Sequence, residues 1–153
     1  LYSTNPAYTL TAQQLAFRKL NDMVKATNPN PGNTNQGIVN LINDMFPGTQ
    51  IQNLPPVDTH LPAAWASKPA LYQTINRVYC RTCHIAQPSY IDFTALSQFT
   101  TFSNSIKTAV CITHDMPHAE VPFKKIWFSA DPHGPAYLAD PVTGLGFGGT
   151  CPP

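Results

Sequence analysis

The chain has 153 residues, room for one compact domain with a core of its own. Only 11% of them are Asp, Glu, Lys or Arg and the net charge is +1, so nucleic-acid binding has no electrostatic footprint. No stretch is apolar for long enough to cross a bilayer, and 16 prolines among many neutral polar residues suit a chain that persists outside the cell.

The chain opens on Leu1 rather than methionine, as it would after loss of a signal peptide or after trimming. A first helix is predicted over residues 11–27. Thr11 with Gln14 forms a capping box, and Ala12, Leu15, Ala16, Leu20, Met23 and Val24 make one apolar face. Asn28-Pro29-Asn30-Pro31-Gly32 stops it. A second helix over 35–46 carries Ile38, Leu41, Ile42, Met45 and Phe46 at helical spacing, and Pro47-Gly48 ends it.

Residues 47–69 are proline-rich and read as a long loop pinned by Trp65. Pro69 at a first helical position starts a third helix, with Leu71, Tyr72, Ile75, Val78 and Tyr79 facing inward. That helix delivers Cys80 to His84 at its C-terminal end. Asp92 caps a short helix over 93–98, and another through Phe102, Ile106 and Val110 leads to Cys111. A loop over 113–119 is stopped by Pro117. Pro122 opens a last substantial helix with Phe123, Ile126, Trp127 and Phe128, and the Gly- and Pro-rich end from Asp131 reads as irregular. No strand alternation persists, so the expected fold is all-α with long Pro/Gly-rich loops.

Cys80-Arg81-Thr82-Cys83-His84 matches the C-x-x-C-H haem attachment pattern. Two cysteines three apart on a helical end point the same way, so both sulfurs reach the vinyl groups of one porphyrin, and the adjacent imidazole lies beneath the iron. With four cysteines and five histidines in the chain, chance alone produces the pattern roughly once in 300 such sequences. A thioredoxin-like pair would need a βαβ setting. A zinc site would need two more ligands, which Cys111 with His114 or His118 offers.

Met116 lies 32 residues after His84, in Cys111-Ile112-Thr113-His114-Asp115-Met116-Pro117-His118. A methionine in a loop stiffened by the next proline is a poor core filler and a good distal ligand. Its soft sulfur favours ferrous iron and raises the reduction potential. His114 and His118 are the rivals for that place, and either would lower the potential.

On Cys80–His84, Met116-Pro117 and the flanking helices, the sequence resembles class I-like monohaem cytochromes c over roughly residues 69–130. The resemblance implies helices wrapped round one covalent haem c, thioether-bonded at Cys80 and Cys83, with His84 proximal and Met116 distal. It departs from the family pattern after the motif, where only Pro88 stands in for a Gly-Pro pair. Residues 1–68 are an added N-terminal helical region, 69–130 the haem-binding core, and 131–153 a loop tail of the same single domain. Haem attachment takes place in an oxidising compartment, and parity then pairs Cys111 with Cys151 in a disulfide.

Arg77 and Arg81 either pair with haem propionates or face solvent. Trp127, Phe123 and Phe128 line the haem crevice or fill ordinary core, and His60 and His133 read as surface residues. The function implied is one-electron transfer in the periplasm or outside the cell, towards redox partner proteins or an extracellular donor or acceptor. With eight Asp and Glu, acid protonates few carboxylates, which fits a respiratory or iron-oxidation setting. The alternatives are a haem enzyme or gas or peroxide sensor with bis-His or open iron, and a zinc-binding module.

Overall fold

The computed structural model describes residues 4–27, 36–46, 60–81, 91–117, 120–128, 134–147 and 151, with the backbone alone at Gln36 and Phe128. Among these residues every regular element is helical and none is a strand. None of the helices is long and apolar enough to cross a membrane.

Helix α1 (Leu10–Ala26) follows a single 3-10 turn at Pro6–Tyr8. Its cap is Thr9, in extended backbone, whose hydroxyl accepts the Ala12 N–H at 3.2 Å. The expected cap, Thr11, lies inside the first turn, where the backbone is already helical. The expected inward face is also overturned: Leu15, Leu20, Met23 and Val24 are exposed, as is Phe17 outside that stripe. The buried residue is Arg18, whose Nη2 donates to Gln14 Oε1 at 3.3 Å. A long basic side chain buries its stem as readily as a leucine does, so the apolar count alone does not orient the helix.

Helix α2 (Gln36–Met45) buries Leu41, Ile42 and the following Phe46. Its tight contact is at Gly37, where a Cβ would come within 2.6 Å of the Ile91 carbonyl oxygen. Two side chains tie the helix down further. Asn40 Nδ2 donates to Asp92 Oδ2 at 2.6 Å, and Asp44 Oδ2 meets His60 Nε2 at 2.5 Å. His60 is therefore no surface residue: its side chain is 19% exposed and held by a carboxylate from a helix distant in sequence.

The core is assembled round Trp65, which ends a short turn (Ala63–Trp65) and is fully buried. Its indole N–H donates to the Phe93 carbonyl at 2.9 Å, and its ring meets Tyr72 at 5.1 Å and Phe99 at 5.3 Å. Helix α3 starts with Pro69 at a first-turn position, runs as α over Pro69–Leu71 and continues as a π-helix over Tyr72–Cys80. Leu71, Tyr72, Ile75 and Tyr79 are buried and Val78 is half-buried.

Asp92 caps the next turn through Oδ1, which accepts from the Thr94 N–H (2.9 Å) and hydroxyl (2.6 Å). Helix α4 follows at Leu96–Thr101, a few residues later than expected. Helix α5 runs over Ser103–Lys107 and passes into a second π-segment, Thr108–Ile112. Helix α6 is Glu120–Phe128, so Pro122 stands in its first turn rather than opening it.

The tail is more regular than its composition suggests. Helix α7 (Pro135–Ala139) buries Leu138, and Lys68 Nζ gathers the carbonyls of Gly144 (2.6 Å), Pro141 and Val142 (3.2 Å each). Gly144 is where the tail folds back: a Cβ there would fall 2.3 Å from the carbonyl oxygens of Tyr137 and Leu138. Lys107 Nζ holds the Phe147 carbonyl at 2.9 Å. These lysines do at the tail what a strand ladder would do elsewhere, satisfying carbonyls that no regular element pairs.

Candidate functional site

The π-segment of α3 ends at Cys80, which is half-buried. Its amides bond five residues back, as Arg81 N–H does to the Asn76 carbonyl, and such segments are frequent at functional sites. Cys80 packs against the main core cluster, and so do Met116 and Trp127. Lys125 Nζ lies 6.0 Å from the Tyr79 ring centroid, which brings α6 alongside the end of α3. Three of the residues singled out from sequence thus pack against the same core cluster. Cys83, His84, His118 and His133 lie outside the described residues.

Met116 is presented by the turn that closes α5. Thr113 N–H bonds back to the Thr108 carbonyl at 2.9 Å, and the amides of Asp115 (2.8 Å) and Met116 (3.2 Å) converge on the Ala109 carbonyl. The reversal takes place at His114, whose φ is 56°. This is the left-handed conformation that ends helices, more often at glycine or asparagine. Met116 is half-buried, whereas His114 is exposed, its ring stacked on Trp127 at 4.1 Å. Of the two rivals for iron, the described one points its ring at an indole.

Three residues before His114, Cys111 is bonded to Cys151 with a Cα–Cα distance of 5.0 Å. A disulfide sulfur is not a thiolate, so Cys111 is withdrawn from the zinc ligand set considered above. Among the described residues no three His, Cys, Asp or Glu side chains gather into a metal-sized group.

Among the described residues, Asn76 and Trp127 carry buried polar atoms without a hydrogen-bond partner. Asn76 is 0% exposed, and neither its Oδ1 nor its Nδ2 is hydrogen-bonded. It stands four residues before Cys80, on the same side of the helix. The Trp127 Nε1–H is also buried without an acceptor. A buried polar group left unpaired costs about 1–3 kcal/mol, so a partner at either position would add stability. A haem, with a polar edge and an apolar body, suits this mixture of a cysteine, a thioether, aromatic surface and orphaned donors. Of the residues that would hold it, the structure describes Cys80 and Met116.

Sequence reasoning passed over Asn76, although a signal was there: it is the one polar residue within the predicted inward stripe of Tyr72, Ile75 and Tyr79. It also left Arg81 open. Arg81 Nη1 donates to the Tyr72 hydroxyl at 2.7 Å, with the guanidinium 5.8 Å from the ring centroid. The first motif residue between the cysteines is thereby anchored to the core.

Burial raises the Tyr72 pKa above its ordinary value of 10.0, and the Arg81 charge opposes that rise without cancelling it. The folded protein therefore holds this proton more tightly than the unfolded chain. Stability from this site is complete below about pH 10 and falls as pH rises through the folded pKa. Tyr72→Phe is expected to cost about 1 kcal/mol near neutral pH, from the lost hydrogen bond, and to flatten the alkaline decline. Urea unfolding at neutral and alkaline pH reads both. An unchanged alkaline slope in Tyr72→Phe would assign the decline to another group.

No protein-family model, curated protein or solved structure matches this chain, so the reading of the site stands on the residues that build it.

Proposed function

We propose that this protein is a monohaem c-type cytochrome that passes single electrons between partners in the periplasm or outside the cell. The observation that carries the proposal is that Cys80 and Met116 pack on one core cluster, while Asn76, four residues before Cys80, and Trp127 hold buried polar atoms without a hydrogen-bond partner. Cys80 and Cys83 would hold the haem covalently, with His84 and Met116 at the iron. The group supplies a reversible one-electron couple.

The chain's own residues do the rest. Tyr72, Ile75, Tyr79, Val110 and Ile126 exclude water from the layer against which Cys80 and Met116 pack. A dry, low-dielectric surround and a soft thioether both favour the less charged ferrous state. Firm presentation of Met116 keeps its sulfur available in both oxidation states, which suits a shuttle better than an enzyme. The near-neutral net charge supports docking through a small apolar patch more than long-range steering. The Cys111–Cys151 disulfide is compatible with an oxidising compartment.

The test is the visible spectrum of protein made in a host that attaches haem, recorded oxidised and reduced, before and after extraction with acidified solvent. A sharp ferrous spectrum whose colour stays with the polypeptide, and is extracted from the Cys80→Ala/Cys83→Ala variant, is expected. A colourless wild-type protein from such a host would sink the proposal.

A further inference from the structure

We propose that His114 is a positioning residue for Met116: its imidazole, stacked on Trp127, clamps the turn that presents the thioether. The inference rests on the reading of Met116 as an iron ligand and adds the device that holds it there.

The π-segment that follows α5 ends at Ile112, and the chain turns directly after it, with the Asp115 and Met116 amides folded back on the Ala109 carbonyl. His114 performs the reversal at φ 56°. A residue with a Cβ is disfavoured in that conformation, and glycine would adopt it without strain. An exposed histidine there needs a compensating contact, and the structure provides one. The His114 ring lies 4.1 Å from the Trp127 ring, the planes 35° apart. Trp127 is the penultimate residue of α6 and packs on the core that also contacts Met116.

The stack therefore ties the first residue of the reversal to the far end of the next helix, and Met116 lies on the enclosed loop. Its backbone is fixed from the other side by the bonds of Asp115 and Met116 to the Ala109 carbonyl. Cys111, bonded to Cys151, anchors the helix that carries Ala109. Without the ring contact, α6 and the loop can shift relative to α5, and the sulfur loses its fixed depth. Ring stacking is the operative property, not nitrogen coordination, so another aromatic side chain should serve.

Three variants of the haem-loaded protein separate these roles. His114→Gly removes the ring and the Cβ while tolerating the backbone conformation, His114→Ala removes the ring and retains a Cβ, and His114→Phe keeps an aromatic face with no ligating nitrogen. The readouts are the weak red absorption band that a methionine sulfur gives ferric haem, and the rate at which added imidazole displaces the native ligand. We expect His114→Gly and His114→Ala to weaken the band and to speed displacement by about 2- to 10-fold, from the loss of one aromatic pair. His114→Phe should stay near wild type. A wild-type band left intact in both His114→Gly and His114→Ala, with unchanged displacement rates, overturns the clamp while sparing Met116 ligation. Equal loss in all three variants, His114→Phe included, overturns stacking in favour of a role for the nitrogens. A wild-type haem protein without the band overturns Met116 ligation, and the clamp with it.

Discussion

Replacing Trp65 by alanine is expected to leave little or no folded protein at room temperature. Trp65 is fully buried, in contact with Tyr72 and Phe99, and donates to the Phe93 carbonyl. Truncating a buried Trp to Ala costs about 3–5 kcal/mol in transfer and cavity terms. The Phe93 carbonyl, deprived of its donor, adds about 1 kcal/mol or more. Against a total of roughly 5–15 kcal/mol for a domain, that is most of the stability. Trp65→Phe should separate the two contributions, retaining much of the packing and losing about 1–2 kcal/mol. Urea denaturation followed by far-UV circular dichroism gives both numbers. If Trp65→Ala loses less than about 1 kcal/mol, Trp65 is not the centre of the core. The consequence reaches the site, because Trp65 joins the 60–68 loop and α4 to Tyr72, and Tyr72 begins the segment that ends at Cys80.

How much of this was legible follows from the range of the forces involved. Pro69 in the first turn of α3, the turn capped by Asp92 and the inward stripe of α3 are local and show in the sequence. The π-character of α3 does not: over nine residues a repeat of 3.6 and a slightly longer one place Leu71, Tyr72, Ile75 and Tyr79 on the same side. The orientation of α1 is not legible from its apolar residues, because Leu15, Phe17, Leu20, Met23 and Val24 are exposed and Arg18 is the buried one. His60 looked like loop surface because its partner, Asp44, is brought to it by α2. The short helix α7 carries too few residues for a period to register, and Lys68 satisfies the carbonyls that follow it from more than seventy positions away. At the site, Cys80 and Met116 were flagged by residue type and spacing. The turn that holds Met116 rests on a positive φ at His114 and a ring contact thirteen residues on, neither of which a sequence pattern encodes.

Removing the disulfide, as Cys111→Ala/Cys151→Ala, is expected to lower stability by about 3–4 kcal/mol through freeing a loop of 40 residues in the unfolded chain. Both cysteines are buried, so alanine also leaves a small void, and the loss should fall at the upper end of that range. The effect has a second component that the loop-entropy argument omits. Cys151 is bonded to Cys111, two residues after Ala109, whose carbonyl receives the Asp115 and Met116 amides. In the haem-loaded protein the double variant is therefore expected to ease displacement of Met116 as well as to melt earlier. The two readouts divide the explanations. A large stability loss with an intact methionine band would make the disulfide a global staple alone. Loss of the band while the fold persists would tie it to the ligand loop. Stability within about 0.5 kcal/mol of wild type would mean that α5 and the tail are held by the Lys107 and Lys68 contacts without it. A chain folded under reducing conditions should behave as the variant does, and one folded where disulfides form should not.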